Sequence, residues 1–93
     1  MSENIIELPE NLTIHHIEEQ FRELKLAFQS DSDTYKIIAS KVESVDTSGL
    51  QALLTLIKHA QNNQKNIVWE GVKDELRNGA AKIGLIDKLL LAS

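Results

Sequence analysis

Val45-Asp46-Thr47-Ser48-Gly49-Leu50-Gln51-Ala52-Leu53-Leu54-Thr55-Leu56-Ile57, residues 45–57, is the stretch on which the fold turns. Asp, Thr and Ser carry short side-chain oxygens that accept from the unpaired amides of a first helical turn. Asp46-Thr47-Ser48-Gly49, set before an apolar-periodic run, therefore predicts a helix start, with Val42 and Val45 bracketing a short connector into it. At about 100° per residue, Leu50, Leu53, Leu54, Ile57 and Ala60 share one face, and Gln51, Thr55, Lys58 and Asn62 the opposite one. The polar break Asn62-Asn63-Gln64-Lys65 ends the helix.

Strands flank this helix on both sides. Tyr35-Lys36-Ile37-Ile38-Ala39 precedes it and Asn66-Ile67-Val68-Trp69-Glu70 follows, each rich in β-branched and aromatic residues, with Gly71 as a turn. Further upstream, the polar cluster Gln29 to Thr34 separates Tyr35 from an earlier helix, whose stripe is Ile17, Phe21, Leu24 and Phe28. Before that, Ile5 to Leu8 is an apolar run stopped by Pro9, which suits an edge strand, and Leu12-Thr13-Ile14 is a second brief extended piece. Downstream, Leu76, Ala80 and Ile83 space a third helix with Gly84 as its left-handed stop, and Ile86 to Ala92 is apolar enough to dock back on the core. Strands alternating with helices pair in parallel, so we expect an α/β fold: a small, mostly parallel sheet with an N-terminal edge strand and three to four helices. Residues 1–93 read as a single domain.

Composition narrows function. The formal charge is −4 and the ten basic residues are scattered, so the basic stripe of a nucleic-acid binder is missing and no nucleic acid is expected as partner. There is no cysteine, which removes disulfides, thiolate ligands and thiol nucleophiles and fits a reducing compartment. MSENIIELPE lacks the basic and long apolar regions of a signal peptide, and no apolar run approaches the roughly 20 residues of a membrane span. We read the chain as cytoplasmic and expect no direct membrane insertion.

Enzyme signatures are missing too: no phosphate-binding loop, no G-x-G-x-x-G, no H-E-x-x-H and no G-x-S-x-G. His15 and His16, adjacent on a helix, would point about 100° apart, and His59 is distant in sequence, so we expect solvent-facing histidines and no metal. Glu18-Glu19 and Asp74-Glu75 sit in first turns, where they favour the helix dipole and are not paired catalytic acids. Trp69 reads as core in preference to an interaction anchor, and Gly79-Ala80-Ala81 as a helix packed closely on the sheet. No catalytic residue and no cofactor is expected. Asp46-Thr47-Ser48-Gly49 supports two readings: plain caps, or a helix N-terminus where a phosphoryl group on a hydroxyl would be held by free amides.

At this segment the chain resembles the STAS family, the sulfate-transporter and anti-sigma-factor-antagonist domains. Their feature is a strand followed by Asp-Ser/Thr-Ser/Ala/Gly-Gly-Leu/Val at a helix start, here Asp46-Thr47-Ser48-Gly49-Leu50. The element order, the Leu-rich helix, the strand after it and Ala80-Ala81-Lys82-Ile83-Gly84-Leu85 extend the likeness over nearly the whole chain. The resemblance implies a bacterial, STAS-like, non-enzymatic regulatory module. It docks a partner protein, a GHKL-type serine kinase (anti-sigma factor) or a chemotaxis signalling protein, and is switched by phosphorylation of the hydroxyl after the Asp. That position is Thr47, with Ser48 the weaker candidate; Thr replaces the Ser usual in antagonists. Asp46, Thr47, Ser48, Gly49, Ala52 and Leu56 are the expected partner-binding residues. Ala52 and Leu56 lie about 200° and 240° around from Leu50, and Leu56 fits equally a widened core stripe. Asp46 to Leu54 and Glu70 to Leu76 are also similar to the cytoplasmic STAS subunit of a phospholipid-trafficking ABC transporter, which implies its ATPase subunit as the alternative partner.

Overall fold

Ile, Val, Tyr and Trp cluster where the chain must lie extended, and the computed structural model, which describes residues 3–13, 17–29 and 31–91, places strands at these clusters. The order is β1 (Glu3–Glu7), β2 (Asn11–Leu12), α1 (Ile17–Ala27), β3 (Thr34–Ile38), β4 (Ser44–Val45), α2 (Thr47–Asn62), β5 (Asn66–Glu70) and α3 (Asp74–Lys82). Three strands form a parallel sheet ordered β1-β3-β5, with β1 at the edge as expected. Three helices stand among the described residues. Ile14, His15, His16, Ser30 and Ala92 lie outside them.

The two-residue strand β4 was not expected; it pairs in parallel with β2. It continues the β1–β3 ladder after a break. Glu3 faces Thr34 but Asn11 faces Ser44, so two extra residues enter the second strand between the ladders. Pro9 supplies no donor there, and the Glu10 carbonyl closes the gap by accepting from both Glu43 N (2.8 Å) and Ser44 N (3.1 Å). Asp46 N then donates to Leu12 O at 3.1 Å, so the ladder runs directly into the start of α2.

Side chains alternate across the sheet. Ile6, Tyr35 and Ile37 are buried under the helices, while Ile5 (57 % exposed) and Val68 (44 %) stand on the opposite face beside a Lys36–Glu70 ion pair of 3.1 Å. Tyr35 meets Phe28 edge to face, with ring centroids 5.3 Å apart, and its hydroxyl donates to the Phe28 carbonyl oxygen at 2.9 Å. Burial pushes the Tyr35 hydroxyl above its ordinary pKa, and the charge of Asp31 adds to this. On α2 the buried set is Gly49, Leu50, Leu53, Leu56, Ile57 and Ala60. This arc is centred on Leu53, so Leu54 is only half-buried and Leu56 (3 % exposed) is core. The buried arc is turned by about 40° from the expected stripe, because α2 packs against α1 as well as against the sheet.

α3 buries Leu76 and Ala80. Ile83 is 40 % exposed, contrary to the spacing, because it is the C-cap and has left the helical spiral. Gly84 stops the helix at φ 72°, with Leu85 N donating to Ala80 O at 2.8 Å. The tail docks back as expected: Leu89 and Leu91 are buried, the Trp69 indole Nε1 donates to Leu89 O at 2.8 Å, and Arg77 Nη1 donates to Leu91 O at 3.1 Å. Trp69 is half-buried against the core.

Candidate functional site

Asp46 is the N-cap of α2, in extended backbone at φ −121° and ψ −177°. Its Oδ1 accepts from Gly49 N at 3.0 Å, and its carbonyl oxygen accepts from Leu50 N at 3.0 Å. The segment is thus a true cap, and Thr47 and Ser48 are the first two helical residues. Thr47 is exposed, Ser48 half-buried and Gly49 buried. Glycine is required at position 49 for a reason the sequence did not carry. A Cβ there would press on the Leu12 carbonyl oxygen and lie 2.8 Å from the Leu12 carbonyl carbon, so α2 rests directly on the β2 backbone.

Thr47 sits on the rim of an open groove of about 560 Å³ between the β4–α2 junction and α3. Sequence reading missed its far wall, made by Glu75, Asn78, Gly79 and Lys82. Gly79 faces Val45 and Leu50, where an added Cβ would lie 3.3 Å from Val45 Cγ1 and 3.6 Å from Leu50 Cδ1. The small-residue run on α3 therefore serves close packing, as expected, but against β4 and the start of α2. Glu43, Asp46 and Glu75 place three carboxylates around the groove against the single ammonium of Lys82.

Of the expected partner-binding residues, Asp46, Thr47 and Ser48 lie together, and Ala52 follows half-buried on α2. Leu56 and Gly49 are corrections: both are buried within the chain, Leu56 in the core and Gly49 against Leu12, so neither presents a docking surface. His59 is exposed, with Asn63 Nδ2 3.3 Å from its Nε2, and no group of three metal-ligating side chains occurs among the described residues. Glu18 and Glu19 occupy the first turn of α1, and Asp74 and Glu75 that of α3. No described helix is long and apolar enough to cross a membrane.

A family model described as "Mlab, STAS domain" matches residues 2–92. The chain belongs to the STAS domain family. The crystal structure of a sulfate transporter family protein from Wolinella succinogenes is similar, with a TM-score of 0.73 and 17 % identity over 94 % of this chain and 70 % of that one. At that identity the likeness speaks to the fold alone, and it agrees with the STAS architecture. No curated protein matches the sequence. STAS domains act generally as regulatory, non-catalytic modules for protein interaction.

Proposed function

We propose that this STAS domain docks a signalling partner, a GHKL-type kinase or a chemotaxis component, through the N-terminal end of α2, and that phosphorylation of Thr47 releases it. The observation that supports this most is the exposure of Thr47 at the first helical position beside the Asp46 cap, on the rim of an open groove. Ser48, half-buried, is the poorer acceptor. A phosphoryl group on Thr47 adds about −1.5 to −2 charges. Glu43, Asp46 and Glu75 already make the groove acidic, so the same partner surface would meet repulsion after modification. Asp46, Thr47, Ser48 and Ala52 form the contact patch under this reading, and Gly49 holds the patch in place from below.

A second reading takes the ATPase subunit of a phospholipid-trafficking ABC transporter as the partner. The name of the matching family model favours it, together with the likeness of Asp46 to Leu54 and Glu70 to Leu76 noted above. Capture with the tagged chain, followed by mass spectrometry, tests both. A kinase or chemotaxis protein held by wild type and lost on Thr47→Glu supports the first reading. An ATPase subunit recovered with membranes, as sole partner, overturns it in favour of the second.

A further inference from the structure

Strand β5 is an outer strand of the β1-β3-β5 sheet. Its register is marked by two hydrogen bonds: Asn66 N donates to Asp33 O at 2.9 Å, and Ala39 N donates to Glu70 O at 2.8 Å. Backbone groups alternate sides along a strand, so Asn66, Val68 and Glu70 face β3, while the N–H and C=O groups of Ile67 and Trp69 face outward. Among the described residues β5 pairs with β3 alone. β5 contains no proline, no lysine and no inward-pointing charge, three of the devices that blunt an edge. An open groove of about 390 Å³ runs along this edge, bounded by Ile67, Val68 and Trp69 on the strand and by Val72, Leu90 and Leu91 opposite. Leu90 is 38 % exposed there.

We propose that β5 pairs antiparallel with β5 of a second copy, about a two-fold axis at Val68. This goes beyond the Thr47 site and does not depend on it. The strand is self-complementary about that centre. Ile67 would oppose the second copy's Trp69, and Trp69 its Ile67, as two hydrogen-bonded pairs, giving four hydrogen bonds from the outward-facing groups. Val68 would meet its own counterpart across the axis, and Asn66 would face Glu70. Apolar residues thus meet apolar ones, and the carboxylate meets an amide. The same operation on the other outer strand, β1, would set Glu3 against Glu7 at both ends, like charges directly opposed. Charge therefore selects β5 over β1, and pairing about a two-fold axis closes the assembly at two copies.

Sedimentation equilibrium of the full chain, up to about 1 mM, tests this. The expected result is a reversible species of twice the 10.4 kDa chain mass. A monomer throughout that range overturns the proposal. Val68→Lys, at an exposed position, should give a folded monomer. Ile5→Lys, in the same row of the open sheet face, should leave the dimer intact. Loss of the dimer in both would mean stacking of open faces and would overturn edge pairing, as would survival in Val68→Lys. Asn66→Glu should weaken association on the order of tenfold, and Asn66→Lys should strengthen it to a similar degree.

Should Val68→Lys fail to fold, a cysteine variant decides. The chain has no cysteine of its own. Facing residues of a non-hydrogen-bonded antiparallel pair have Cα atoms about 4.5 Å apart, inside the roughly 4.4–6.8 Å span of a disulfide. Val68→Cys should therefore oxidise to a covalent dimer, and Ile5→Cys should not, although Ile5 is the more exposed. Equal crosslinking of the two, or none at position 68, contradicts the pairing.

Discussion

Replacing Gly49 by alanine puts a methyl carbon against the Leu12 carbonyl oxygen, 2.8 Å from its carbonyl carbon and 2.9 Å from its Cβ. Carbon–carbon contact needs about 3.5 Å, so α2 and β2 must part by at least roughly 0.7 Å, and by more to clear the nearer carbonyl oxygen. The obstructing atoms are backbone held by the Asp46 N to Leu12 O bond, and a rotamer change does not clear them. Overpacking costs about 1–3 kcal/mol, and a rigid neighbour places this site at the upper end. Alanine recovers at most about 1 kcal/mol of helix propensity. The net loss is about 2 kcal/mol, or a fall in Tm of roughly 8–16 °C for a domain of this size. Gly79→Ala is the matched control. Its new methyl would meet side-chain atoms at 3.3 and 3.6 Å that can yield, in a helix interior, so the change should be neutral or stabilising by up to about 1 kcal/mol. Urea unfolding with linear extrapolation, supported by thermal melts, measures both variants. Wild-type stability in Gly49→Ala would refute the close seating of α2 on β2 that fixes the position of Thr47.

Three further predictions concern the cap, the core and the buried phenol. Asp46→Ala removes the acceptor for Gly49 N and should cost about 1 kcal/mol in urea unfolding, whereas Asp46→Asn keeps most of that bond. Leu56→Ala should cost about 2–5 kcal/mol, as for a core leucine; a loss under about 0.5 kcal/mol would make it a surface residue. Tyr35, the chain's one tyrosine, keeps its proton more tightly when folded. Stability from this source is whole below the ordinary phenol pKa of about 10 and is lost as pH rises through the higher folded value, because the unfolded chain ionises first. Tyr35→Phe should lower stability by about 1 kcal/mol at neutral pH through loss of the bond to Phe28 O, and should flatten the alkaline decline seen in urea unfolding against pH.

The features legible in the sequence are those set by local chemistry. Asp46 caps because a carboxylate satisfies a first-turn amide in almost any context, and Gly84 stops α3 because the left-handed turn excludes most other residues. Strand β5 matched to the residue, since β-branched and aromatic residues fill it between polar turns. What escaped depends on tertiary partners. β4 is two residues long, too short for any period, and exists through the double acceptance by Glu10 O and its pairing with β2. The burial of Leu56 follows from the second surface that α1 offers to α2, which a single apolar stripe does not encode. At the site, Asp46 and Thr47 were readable as cap and exposed hydroxyl, but the α3 wall with Glu75 and Lys82 was not. Only Gly79 hinted at it, as a residue small enough to let α3 close on Val45 and Leu50.

The central claim is that the exposed hydroxyl of Thr47 gates a partner at the start of α2. Its most direct test compares partner affinity of wild type, Thr47→Ala and Thr47→Glu, using the kinase or chemotaxis protein recovered by capture. Wild type and Thr47→Ala should bind within a few-fold of each other, and Thr47→Glu should bind at least about tenfold more weakly, roughly 1.4 kcal/mol. Equal affinity for all three would contradict it.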